Sequence, residues 1–214
     1  MVTFGFSAFL KLLSLNERPR RTALRQRLSP SAGGYDFHRS FRLHARRLLV
    51  DGVAVDDVLT SAGTITKLPE RRSAVAALQR LDLWRRSAPG PVFQGEPVIY
   101  ESPRRLFRVR FEPDFSIRLH GHRTAFHIWN TMRPNLTPGV TYAALSLVAQ
   151  AYEDQDDAPD DVAVLSVREP LAVYLFSNSP DPSTVASSIV DQLEDAIGGS
   201  DGPPSAPEDR PTPA

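Results

Sequence analysis

Apolar residues recur every three to four positions through residues 1–88 and every second position through much of the chain from residue 92. The pattern predicts helices first and strands later. Phe6, Phe9, Leu10 and Leu13 make one apolar face of a helix within Met1–Leu15. A basic helix is expected over Arg18–Leu28, ended by the breaker Ser29-Pro30-Ser31-Ala32-Gly33-Gly34. A further helix is expected over Asp36–Val50 with Phe37, Phe41, Leu48 and Leu49 inward, a short one over Val53–Thr60, and a long one over Pro69–Arg86. The last of these turns Ala74, Leu78, Leu81 and Trp84 inward. After Ala88-Pro89-Gly90-Pro91, alternation predicts strands at Val98–Tyr100, Leu106–Phe111, Phe115–Leu119 and Thr124–Thr131, the last three as an antiparallel meander. A helix over Thr141–Tyr152, strands over Val162–Val167 and Leu171–Phe176, and a helix over Ser183–Ile197 follow. The expected fold class is α+β: an Arg-rich helical region (1–90) packed on a mixed β-sheet domain (91–197), then a Pro-rich tail (198–214) expected to be disordered.

Composition adds little until charge is mapped along the chain. The 25 Lys and Arg balance 25 Asp and Glu, and no cysteine is present, which excludes disulfides, thiolate metal sites and a cysteine nucleophile. Residues 1–120 hold 21 basic and 11 acidic residues, whereas residues 121–214 hold 4 and 14. Arg18, Arg21 and Arg25 share one helical face, and Arg39, Arg42 and Arg46 share another. Ranged along one side, these guanidinium groups would neutralise nucleic-acid phosphates; the alternative is that they pair with the acidic half of the same chain, a second copy or an acidic protein partner. The apolar opening segment is shorter than a membrane span and lacks a signal-peptide cleavage site, so no membrane span and a cytoplasmic location are expected.

Residues 105–167 run strand, strand, strand, helix, strand, with Glu112-Pro113-Asp114-Phe115 at the first turn. In this the chain resembles the PD-(D/E)XK, or restriction-endonuclease-like, nuclease superfamily. The resemblance implies an Asp after a Pro at the start of one core strand, here Asp114, and an acid and a lysine two residues apart on the next. The corresponding stretch, Phe126-His127-Ile128-Trp129-Asn130-Thr131, supplies neither. A lone carboxylate is a poor Mg²⁺ site, because that ion prefers several hard oxygen ligands in octahedral order. A hairpin turn at Glu112-Pro113-Asp114 is the plainer reading of that stretch.

The leading expectation is therefore a non-catalytic nucleic-acid-associated protein on a degenerate nuclease-like fold, with no cofactor and with Trp129 as a candidate stacking residue. One alternative is an active Mg²⁺- or Mn²⁺-dependent nuclease using Asp114 as metal ligand with Glu112 and His127. Another is a protein–protein interaction module or homo-oligomer. His120, His122 and His127 could form a three-nitrogen metal site, or be turn and sheet-face residues. The acidic run Glu153–Asp161 reads as a solvated loop, since an EF-hand beginning at Asp154 would place Pro159 where Gly is required. Phosphate-loop, dinucleotide, serine-elbow and His-Glu-x-x-His signatures are absent from the sequence.

Overall fold

A computed structural model of the 214-residue chain describes residues 1–28, 36–119, 121–177 and 180–199. The breaker after Leu28, His120 and the tail from residue 200 onward lie outside the described residues. The fold is α+β, with two mixed sheets rather than one.

The chain opens on a strand that periodicity did not reveal, β1 (Val2–Gly5), and turns at once into α1 (Phe6–Leu13). The β-branched and aromatic residues Val2, Thr3 and Phe4 suit an extended backbone. The helical face expected here survives intact: Phe6, Phe9, Leu10 and Leu13 are all buried. Helix α2 (Glu17–Leu28) follows, then α3 (Arg39–Leu49), α4 (Val55–Gly63) and α5 (Leu68–Ser87). On α3 the buried residues are Phe41, His44, Ala45 and Leu49; Phe37 precedes the helix and is exposed, and Leu48 is only partly buried. On α5 the expected inward row Ala74, Leu78, Leu81 and Trp84 is buried.

Next come β2 (Val92–Phe93), β3 (Val98–Glu101), β4 (Phe107–Phe111), β5 (Phe115–Leu119) and β6 (His122–Trp129). The remainder is α6 (Pro138–Tyr152), β7 (Asp161–Ser166), β8 (Ala172–Phe176) and α7 (Pro180–Gly198). The sheets have the orders β1-β4-β3 and β2-β5-β6-β7-β8. Two pairings are parallel, β1 with β4 and β6 with β7, the latter joined across α6.

The expected three-strand meander is corrected: β5 and β6 form a hairpin, but β4 belongs to the other sheet. Glu112-Pro113-Asp114 is thus a link between sheets and not a hairpin turn. Pro113 has no N–H to extend the β4 ladder. The aromatic rings on its two sides also go to different cores: Phe111 packs edge-on to Phe6, while Phe115 stacks on Phe126 with centroids 5.0 Å apart.

The five-stranded sheet separates these cores, because successive strand residues face opposite sides. Ala125, Trp129, Val162 and Val164 face α1, α6, α7 and the three-stranded sheet. Phe126, Ile128, Ala163 and Leu165 face α3, α4 and α5. Among the described residues, no helix is long and apolar enough to cross a membrane.

Candidate functional site

Asp114 stands where the chain enters β5, and the hairpin holds it in place. Its backbone N–H donates to the Phe126 carbonyl at 2.8 Å, and its Oδ2 accepts the Ile128 N–H at 2.6 Å. The same Oδ2 lies 3.0 Å from His127 Nδ1, with the His127 and Asp114 side chains only 7% and 12% exposed. On the far side of the ring, His127 Nε2 is 2.7 Å from Ser7 Oγ on α1. Phe6 presses edge-on against the imidazole, with centroids 5.2 Å apart, and Phe111 packs edge-on against Phe6. In a neutral imidazole whose Nδ1–H points at a carboxylate, Nε2 is the acceptor and the serine hydroxyl donates to it. Two residues singled out in the sequence, Asp114 and His127, are brought into close contact, and a third that was not, Ser7, is hydrogen-bonded to the far nitrogen of the ring.

Ser7 lies 120 residues from His127. Its one local signal is a serine just after a strand-ending glycine, Gly5-Phe6-Ser7, and that signal appears only once β1 is recognised as a strand.

Other expected site residues lie elsewhere. Glu112 is exposed and ion-paired with Arg110, away from the Asp114 carboxylate. Trp129 is 2% exposed, so its ring is part of the core and offers no face to a base. His122 and His127 are five residues apart on β6, about 16 Å along an extended strand. His122 Nδ1 is 3.8 Å from Asp161 Oδ2, at the opposite end of the strand from the Ser7 chain. His120 is outside the described residues. The acidic loop clamps the start of β6, where Asp160 Oδ2 accepts the Arg123 N–H at 2.6 Å and the Arg123 side chain donates to the Asp157 and Ala158 carbonyls.

A magnesium ion of the kind the nuclease resemblance implies does not fit these residues. The site offers one carboxylate, whose Oδ2 already accepts the Ile128 N–H and lies 3.0 Å from His127 Nδ1, with an imidazole and an indole on the facing strand. Among the described residues, no group of three or more His, Cys, Asp or Glu is placed to hold a metal.

The arginines divide into two kinds. On α3, Arg42 pairs with Asp36, and Arg46 Nε lies 3.9 Å from Asp51; Arg39 is exposed. On α2, five arginines accompany one acid, Glu17, and Leu24 is the single buried residue. Arg20 is structural: its Nη2 donates to the Leu13 and Leu15 carbonyls at 3.1 and 3.0 Å, closing the C-terminal end of α1. Arg18, Arg21 and Arg25 are exposed, with Arg21 paired to Glu17. Arg20, Arg21 and Arg25 line one wall of a groove of about 770 Å³, whose opposite wall, on α7, includes Gln192 and Asp195.

No family model matches the chain, and no curated protein matches it. Among solved structures it is similar to one described as "Crystal structure of SSO0001", at 13% identity over 90% of this chain and 86% of that one, with a TM-score of 0.35, too slight a likeness to carry an argument.

Proposed function

We propose that this chain is a nucleic-acid-associated protein on a nuclease-like core that lacks metal-dependent nuclease chemistry, with α2 as its phosphate-contacting surface. The observation that carries this reading is the economy of α2: a twelve-residue helix that buries one leucine contributes little to the core, yet presents several guanidinium groups at the surface. Guanidinium groups suit phosphate oxygens geometrically, and their neutralisation of phosphates makes binding steeply salt-dependent. On α3, Asp36 and Asp51 offset Arg42 and Arg46, as Glu17 offsets Arg21 on α2.

The test is fluorescence anisotropy of labelled duplex and single-stranded oligonucleotides at increasing salt. It compares the full chain with the triple variant Arg18→Gln, Arg21→Gln, Arg25→Gln. Removing three phosphate contacts should weaken binding at least tenfold at low salt and lower the log–log salt slope by about 3 on duplex DNA. Absence of salt-sensitive binding, or binding indifferent to the triple variant, overturns the reading. Mn²⁺-dependent cleavage abolished by Asp114→Ala would make the protein a nuclease instead.

A second reading, a protein-interaction module, is favoured by β8. That strand ends its sheet, and Leu171, Val173 and Leu175 are exposed on or beside it. Unpaired strand edges with apolar side chains are ready surfaces for another strand. Self-association in sedimentation velocity without nucleic acid, lost in Leu175→Lys, would support it.

A further inference from the structure

Strand β1 ends on Gly5, which sits at the N-cap of α1 in an extended conformation (φ −70°, ψ 149°) and supplies no side-chain cap. The first N–H groups of a helix have no intrahelical partners, and its N-terminus carries partial positive charge. Ser7 is the second residue of that uncapped end, and its hydroxyl sits at the head of the His127–Asp114 chain. A strand turning directly into a helix whose second residue is a serine, a histidine at hydrogen-bond distance and a largely buried carboxylate behind it are the parts of a nucleophilic serine site. The ring is held from one side by Phe6, so the relay has a fixed orientation. Ser7 is partly exposed, and Gly5 beside it is exposed with nothing within 4 Å of the position a Cβ would take. The grooves at α2–α7 and beside Phe93–Glu96 lie elsewhere on the surface.

We propose that Ser7, His127 and Asp114 form a metal-free acyl-transfer site that acts on small carboxylic esters. Ser7 Oγ attacks the ester carbonyl carbon, forming a C–O bond as its proton passes to His127 Nε2 and the carbonyl π pair moves onto oxygen. That oxyanion is stabilised by the N–H groups of the first turn of α1. Collapse breaks the bond to the alcohol oxygen, which takes the proton back from His127 and departs, leaving an acyl-serine. Water then attacks the acyl carbon, gives its proton to Nε2, and the second collapse returns that proton to Ser7 and releases the acid. Asp114 is a positioning residue: it holds the Nδ1–H tautomer and balances the imidazolium formed in each half.

The site and the α2 surface use different residues, so nucleic-acid binding and acyl transfer fail or succeed separately. The experiment treats the full chain with a fluorophosphonate and, in parallel, with p-nitrophenyl acetate, reading the labelled residue by peptide mass mapping. Expected are covalent labelling at Ser7 and ester turnover, both abolished in Ser7→Ala, whose circular dichroism and thermal transition match the parent. His127→Gln should slow labelling by at least about 100-fold, the usual yield of a general base. Asp114→Asn should slow it and change its pH profile, an effect a purely structural role would not produce. If His127→Gln or Asp114→Asn does not fold, the comparison with Ser7→Ala decides. An unlabelled Ser7 in the folded protein, or turnover unaffected by Ser7→Ala, overturns the proposal and leaves the chain as a structural pin between α1 and the β5–β6 hairpin.

Discussion

Glu194 is buried on α7, and burial pushes a carboxyl upward in pKa; here hydrogen bonds from Arg104 and Ser102 outweigh it and hold the group below the usual carboxylate range. Arg104, on the loop between β3 and β4, donates its backbone N–H to Oε1 and its Nε to Oε2, both at 2.8 Å. A carboxyl with a lowered native pKa stabilises the fold above its unfolded pKa, and that contribution is lost as pH falls through the native value. Glu194→Gln should therefore cost about 1–3 kcal/mol at neutral pH by thermal denaturation, with the gap to the parent closing in acid. Asp114 is tied down differently, since its Oδ2 meets the Ile128 N–H as well as His127. Asp114→Ala leaves that N–H without its acceptor and should cost about 1–3 kcal/mol in chemical denaturation. An Asp after a Pro was visible in the sequence, but its partners were not. Ile128 and His127 are on the facing strand, and the histidine's own partner, Ser7, is on a helix 120 residues away in sequence, so only folding brings them within reach.

Helices α1 and α2 are neighbours in sequence with opposite roles. Phe9 of α1 is fully buried beside Phe4 and Phe107, so Phe9→Ala should cost about 3–5 kcal/mol by the transfer and cavity terms. The triple arginine-to-glutamine variant of α2 should leave stability within about 0.5 kcal/mol, measured by denaturant titration, because exposed side chains with solvated charges contribute little. A loss of several kcal/mol would mean that α2 is part of the core. Amphipathic helices such as α5 were legible because their period is strong over many residues. The four-residue β1 was not, since a short apolar run has no period of its own and becomes a strand only when β4 offers an edge to pair with. The meander expectation failed for a related reason: alternation reads the same whichever sheet a strand joins, and the choice fell to where Phe111 and Phe115 found aromatic partners.

Over the whole molecule, the five-stranded sheet is a wall shared by two cores, and each core holds one tryptophan, Trp129 on one side and Trp84 on the other. Because β6 and β7 feed residues to both, the cores should unfold together. Fluorescence of Trp84→Phe and of Trp129→Phe, each corrected for its own stability by circular dichroism, should give midpoints that coincide with the loss of secondary structure. Separate transitions would show that the helical half and the three-stranded half are independent units. The charge asymmetry also resolves at this scale: Arg80 reaches Glu169 and Arg104 reaches Glu194 and Asp195, bridging the basic and acidic parts of the chain. The sequence by itself determined the α+β class, most helix and strand positions and the basic character of α2, because periodicity and charge are local properties of a few turns or a few residues. Tertiary structure alone decided that β4 and β5 part company, that Trp129 is core, and that Ser7, His127 and Asp114 meet, because each depends on contacts between segments whose separation along the chain no local pattern encodes.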